Sequence, residues 1–156
     1  MKYGYYPGCS LERNAAAYDI SARAVAAALG FGLDEIDDWN CCGATEYIAI
    51  NKLAAYALVG RNLALAQKQL HDSPDGYKGA DGRAQLVAPS SACFLNLRKA
   101  DRYLQEDAKL REITNEALAA GGLHYDPGTI FVRHLLEVIV NEVGYGEIKR
   151  RVVRPL

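Results

Sequence analysis

Four cysteines dominate the chemistry open to this sequence: Cys9, the adjacent Cys41 and Cys42, and Cys93. Thiolates are soft ligands that suit zinc and iron–sulfur clusters, and four of them complete either a tetrahedral zinc site or a cubane of four irons. Structural zinc sites usually draw their ligands from short Cys-x-x-Cys knuckles, and no such knuckle is intact here. Neighbours such as Cys41 and Cys42 are poorly placed to bridge each other, because the ring they would close is strained; both can instead serve adjacent irons of one cluster. Gly43 lets the backbone come close to a bound group. The helix expected after it would turn its N–H groups and positive dipole end toward thiolates. Ser90 and Cys93 stand in the same relation to the next helix. The Ser90 hydroxyl reads first as a helix N-cap and second as a further ligand, harder and poorer for iron than a thiolate. On the residues alone three chemistries stay open: an iron–sulfur cluster, a structural zinc, or metal-free thiols that pair on oxidation or pack as small buried hydrophobes.

The elements that would position these thiols follow from hydrophobic periodicity. Lys2 to Tyr6 reads as an aromatic-rich strand ended by Pro7-Gly8, immediately before Cys9. Leu11 to Leu29 reads as a helix with Tyr18, Ala22, Val25 and Leu29 on one face, stopped by Gly30. Leu33 to Asp38 is a weaker strand leading into Trp39-Asn40-Cys41-Cys42-Gly43, and a long helix then runs to about Leu70 with Tyr56, Val59, Leu63, Ala66 and Leu70 at helical spacing. His71 to Arg83 reads as a loop and Gln85 to Ala88 as a buried strand that delivers Pro89-Ser90-Ser91-Ala92-Cys93. Helices follow through Leu97, Ala100 and Leu104, over Asp107 to Ala119, and over Thr129 to Val143, the last with Phe131, Leu135, Val138 and Ile139 as its apolar face. Alternating strands and helices imply an α/β fold, a small Rossmann-like parallel sheet with flanking helices, over a single domain spanning 1–156. Each cysteine follows a predicted strand, so all four are expected at the carboxyl edge, where open α/β sheets bind their ligands.

Composition narrows the classes. Half of the 156 residues are apolar and the formal net charge is −1, with no basic stripe of the kind that binds nucleic acid. No apolar run reaches membrane-spanning length, and a reducing, cytoplasmic setting is expected, in which clustered cysteines point to metal or redox chemistry. Other residues carry a bland reading beside a sharper one. Tyr3, Tyr5 and Tyr6 suit a half-buried strand as well as a substrate pocket. Trp39 is either core or a cover over a bound group. His134 reads as a hydrogen-bonded structural residue before a proton donor. His124 reads as exposed, and His71 suits a helix C-terminus. Lys149-Arg150-Arg151 reads as a solvated helix end, with a docking role as the alternative.

Tyr5-Tyr6-Pro7-Gly8-Cys9-Ser10-Leu11-Glu12, Trp39-Asn40-Cys41-Cys42-Gly43-Ala44, Pro89-Ser90-Ser91-Ala92-Cys93 and Val132-Arg133-His134-Leu135-Leu136-Glu137-Val138 together resemble the CCG cysteine-rich domain. This is the domain of the heterodisulfide reductase B subunit and its relatives, and the likeness is to the N-terminal of that polypeptide's two repeats. The resemblance implies an iron–sulfur-binding redox subunit that transfers electrons to, or acts on, a disulfide or thiol substrate. Cys9, Cys41, Cys42 and Cys93 would be its ligands, and Ser90 a fifth candidate. It also implies work inside a multi-subunit complex, next to an iron–sulfur subunit that donates electrons. Two departures matter. Ser90 stands where the family pattern has the first cysteine of a Cys-x-x-Cys, which puts the family's noncubane cluster of five cysteines in doubt, favours a four-cysteine cubane or no stable cluster, and leaves cubane or noncubane 4Fe–4S undecided. One repeat is present where the family member has two, so a self-sufficient enzyme is not expected. Zinc in a structural module and a metal-free thiol switch remain the alternatives.

Overall fold

The computed structural model describes residues 1–44, 47–71, 73 and 76–154. Among them, β1 (Lys2–Tyr5), β2 (Gly32–Glu35), β3 (Ala84–Ala88) and β4 (Ile130–His134) form one sheet in the order β2-β1-β3-β4. Every pairing is parallel, with Tyr3 opposite Leu33, Gly4 opposite Leu86 and Leu86 opposite Val132. β3 is buried along its whole length, as expected of a central strand covered on both faces.

Alternation along β1 explains its tyrosines. Tyr3 and Tyr5 point to one face, into a cluster with Ala22, Ala26, Phe31, Val87, Leu135 and Val138. That cluster brings together α2 (Ala16–Leu29), α7 (Leu135–Val138) and the sheet. Tyr6 joins the larger core on the opposite face, built with α4 (Lys52–His71), α5 (Ser91–Glu106) and α6 (Ala108–Ala119). Gly4 lets α4 settle on the sheet: a methyl group there would lie 2.5 Å from Leu70 Cδ1. All five residues expected on the buried face of α4 are buried. The start expected for that helix falls on residues 45–46, outside the described residues, and so do Pro155 and Leu156; a short α3 (Tyr47–Ile50) precedes α4.

Two expectations are corrected. The helix expected over Leu11–Leu29 is divided into α1 (Cys9–Glu12) and α2. Its buried residues are Ala22 and Ala26, while Tyr18 and Val25 are about 40% exposed; small alanines let the helix axis approach the sheet, and the larger side chains are displaced to the flanks. The single helix expected over Thr129–Val143 is instead β4, α7, a π-helical turn (Ile139–Val143) and then α8 (Gly144–Arg151). Ile130-Phe131-Val132 is β-branched and aromatic, and the open edge of β3 offers it five register pairs; sheet pairing outweighs a helical spacing that Phe131 and Leu135 match by coincidence. The basic end is partly engaged: Arg150 and Arg151 pair with Glu147, and Arg151 Nη1 donates to the Ala28 carbonyl at the end of α2, where a cation meets the negative end of the helix dipole.

Candidate metal centre

The parallel sheet delivers all four cysteines to its carboxyl edge. Cys9 opens α1 just beyond β1, Cys41 and Cys42 lie in the segment that follows β2, and Cys93 sits in the first turn of α5 after β3. The thiols form two close pairs: Cys9 Sγ and Cys41 Sγ are 3.2 Å apart, and Cys42 Sγ and Cys93 Sγ 3.4 Å. The first pair is exposed and the second buried, and all four thiols are free. Tyr6 lies in the same buried cluster as Cys42 and Cys93. Its phenol is almost completely buried, and burial, reinforced by the negative potential of all four sulfurs, raises its pKa well above the usual tyrosine value.

Local backbone geometry allows this approach. Gly8 has φ 78° and ψ 157°, a region open essentially to glycine alone, and a methyl group there would lie 2.7 Å from Cys93 Sγ. Gly43 and Ala44 both have positive φ. Their N–H groups act to lower the pKa of Cys41 and Cys42 respectively, for Cys41 against the larger effect of burial. Successive amides aimed at sulfur are the arrangement by which turns hold anions and clusters. The four environments differ. The hydrogen bond with Cys93 is the largest of the influences that hold Cys42 down to about 6, against burial. The same contact, with burial, pushes Cys93 up, and burial raises Cys41.

The Cys41-Cys42 segment is gripped from behind by residues that the sequence reading missed. Asn62, buried on α4, accepts from the Asn40 N–H at 2.9 Å and donates to the Asn40 carbonyl at 2.8 Å, a carbonyl that also accepts from the Tyr6 hydroxyl at 2.7 Å. Arg61 donates to the Asp38 carbonyl and to Asn40 Oδ1. On the other side, Asn96 of α5 donates to the carbonyls of Cys42 and Ala44. A buried asparagine in the apolar run of α4 was the one available signal for Asn62. Asn96, one helical turn beyond Cys93, carried none.

Ser90 is the N-cap of α5, its Oγ accepting from the Cys93 N–H at 3.5 Å, so the capping reading is the one observed. Trp39 packs edge-on against Tyr6 at 5.3 Å between centroids and donates from Nε1 to Glu35. Tyr3 and Tyr5 are core: their hydroxyls donate to Met1 Sδ and to Asp19. His134 ends β4 rather than lying within a helix; its Nδ1 accepts from the Leu136 N–H and its Nε2 is 3.3 Å from Ser91 Oγ. The hydrogen-bonded reading therefore stands although the helix does not. His124 contacts Asp126 at the surface. A cleft of about 700 Å³, bordered by Cys9, Cys41, Arg13, Asp37 and Trp39, opens beside the exposed thiol pair.

The donor set bears on which group the site suits. A four-thiolate zinc needs every sulfur about 2.3 Å from one point. Among the described residues no three His, Cys, Asp or Glu side chains are disposed around a common ion. Four thiols gathered at one edge are a donor set that both a structural zinc and an iron–sulfur cluster take, and to bind either the sulfurs of each pair would move apart from 3.2 and 3.4 Å.

Comparison with known proteins bears on the same residues. A family model described as a cysteine-rich domain, CCG, matches residues 3–98, which include all four cysteines. The 8-methylmenaquinol:fumarate reductase membrane anchor subunit of Wolinella succinogenes is 33% identical over 155 residues, 99% of this chain and 48% of that protein. A protein of Archaeoglobus profundus, described as similar to the heterodisulfide reductase B subunit, is 27% identical over 153 residues, 97% of this chain and 46% of that one. The B subunit of the ferredoxin:CoB-CoM heterodisulfide reductase of Methanosarcina mazei is 25% identical over 118 residues, 75% and 35% respectively. The chain thus spans about half the length of the first two of these relatives and about a third of the last. Among solved structures, a hypothetical protein from Helicobacter pylori shares the fold with a TM-score of 0.70 at 16% identity, over 88% of this chain and 25% of that one. Among the described residues no helix is long and apolar enough to cross a membrane. With the cysteine-bearing sheet edge and the family match falling on the same residues, this chain belongs to the CCG cysteine-rich domain family that includes the heterodisulfide reductase B subunit.

Proposed function

We propose that this chain is an iron–sulfur redox subunit in which Cys9, Cys41, Cys42 and Cys93 hold a 4Fe–4S cluster, within a heterodisulfide reductase-like complex. The observation that carries the reading is the convergence of four thiols from three separate chain segments as two pairs at one sheet edge. In this reading residues 1–156 act as one cysteine-rich unit in the reducing cytoplasm. Electrons come from a neighbouring iron–sulfur subunit and go to a disulfide substrate, whose S–S bond is cleaved by two electrons and two protons to give two thiols. When bound, the cluster supplies one-electron storage. The chain's own residues hold it and shape its surroundings. Gly43 and Ala44 turn N–H groups toward the sulfurs, Tyr6 and Trp39 form an aromatic back wall, and Asn62 with Arg61 fixes the segment that carries Cys41 and Cys42. The cleft beside Cys9 and Cys41 falls within the range of small-molecule sites, so the exposed pair is the side that faces the substrate. Ser90 serves as cap rather than ligand.

Iron and acid-labile sulfide content of anaerobically purified protein, with electron paramagnetic resonance of oxidised and reduced samples, tests this. Near-stoichiometric iron and sulfide with a redox-dependent signal are expected. Zinc without sulfide, or no metal, overturns it and leaves the structural-module or thiol-switch alternative.

A further inference from the structure

Asn96 touches the cysteine site without being a candidate ligand. It lies half-buried on α5, three residues beyond Cys93, a spacing that puts both side chains on the same face of the helix. Its Nδ2 donates to the Cys42 carbonyl at 3.4 Å, to the Ala44 carbonyl, and to Cys42 Sγ at 3.9 Å. Ala44 is held at φ 44°, in the left-handed region that an L-residue adopts only at a cost, so this turn needs an external tie. The helix that presents Cys93 supplies it. One amide therefore couples the two cysteine-bearing elements and also places a donor on a sulfur.

We propose that Asn96 is a positioning residue of the cysteine site: it struts the Cys41–Ala44 turn against α5 and, through its N–H···S hydrogen bond to Cys42, raises the reduction potential of the group the thiols hold. This rests on the iron–sulfur reading above. Hydrogen bonds to ligand sulfur stabilise the electron-rich reduced state more than the oxidised one, and outer-shell donors of this kind are a principal means by which proteins set cluster potentials.

The test is potentiometric titration with dithionite, followed by electron paramagnetic resonance, on anaerobically reconstituted wild type, Asn96→Leu, Asn96→Asp and Asn96→Gln. Asn96→Leu should keep the wild-type iron and sulfide content. Its reduced-to-oxidised equilibrium should shift on the order of tenfold toward the oxidised form, which is about 59 mV lower for one electron. Asn96→Asp, which adds negative charge, should shift further, and Asn96→Gln should recover part of the loss. A midpoint in Asn96→Leu equal to wild type overturns the proposal. Hydrogen exchange on the metal-free proteins provides a second arm: faster exchange confined to residues 41–44 in Asn96→Leu is expected, and unchanged exchange there overturns the strut. Wild type without iron and sulfide would sink the iron–sulfur reading and the claim about potential with it, and the exchange arm would then decide the strut alone.

Discussion

Ser90 occupies a position where the family pattern carries a cysteine, and its side chain is engaged as a cap. Oγ accepts from the Cys93 N–H at the first turn of α5, one of the orphan donors that every helix start must satisfy. Ser90→Ala should therefore cost about 1 kcal/mol of stability, as is usual for a lost N-cap, and leave iron per chain unchanged. Thermal denaturation and metal analysis on the same sample check this; loss of one iron per cluster in Ser90→Ala would make the hydroxyl a ligand instead. The cysteines were readable in sequence because their residue type is rare and their positions follow strands. Gly8 was readable only as a turn. Its second role, clearing space for Cys93 Sγ, depends on a contact between distant parts of the chain that no local pattern carries.

At the scale of elements, β1 and β3 were legible as short aromatic or apolar runs near turn residues, and β2, with Asp34 and Glu35 in it, only as a weaker strand. β4 was not. Its five residues lead directly into α7 with no intervening loop, so one helical spacing runs through both. Beside its pairing with β3, the start of β4 is anchored by the turn before it. Asp101 on α5, 9% exposed, accepts from the Tyr125 hydroxyl at 2.6 Å, the Gly128 N–H at 2.7 Å and Gln105 Nε2 at 2.9 Å. Asp101→Ala would strand the buried Tyr125 hydroxyl and the Gly128 amide, at about 1–3 kcal/mol for a buried group left unsatisfied. Denaturant unfolding should show that loss, and hydrogen exchange should rise first along Ile130–His134. Stability lost without preferential exchange in β4 would detach Asp101 from the strand's placement. Asn62 is the matching case near the site: a polar residue on the buried face of α4 was visible in sequence, whereas its two-point grip on Asn40 depends on β2 and α4 being brought together.

For the whole molecule, buried tyrosines set the alkaline limit. Tyr5, Tyr6 and Tyr125 are each at most 1% exposed, and their pKa values are raised chiefly by burial. In the unfolded chain they ionise near pH 10. Above that pH the unfolded state has lost protons that the folded state retains, so stability is full below about pH 10 and falls as pH rises further. Phenolate absorbance from these three residues should appear together with the loss of circular dichroism; early ionisation in a still-folded protein would contradict their burial. The parallel sheet carries a consequence of another kind, concerning the order of assembly. Cys9 meets Cys41 across 32 positions of chain and Cys42 meets Cys93 across 51. β1 pairs with β3 only after the long α4 crossover is complete. Non-local parallel pairings of this kind are reached late and slowly on a folding pathway. A nascent chain that has emerged only as far as α4 has the cysteines of its outer pair but not Cys93, so any group held by all four thiols has its full donor set only once β3 has joined the sheet.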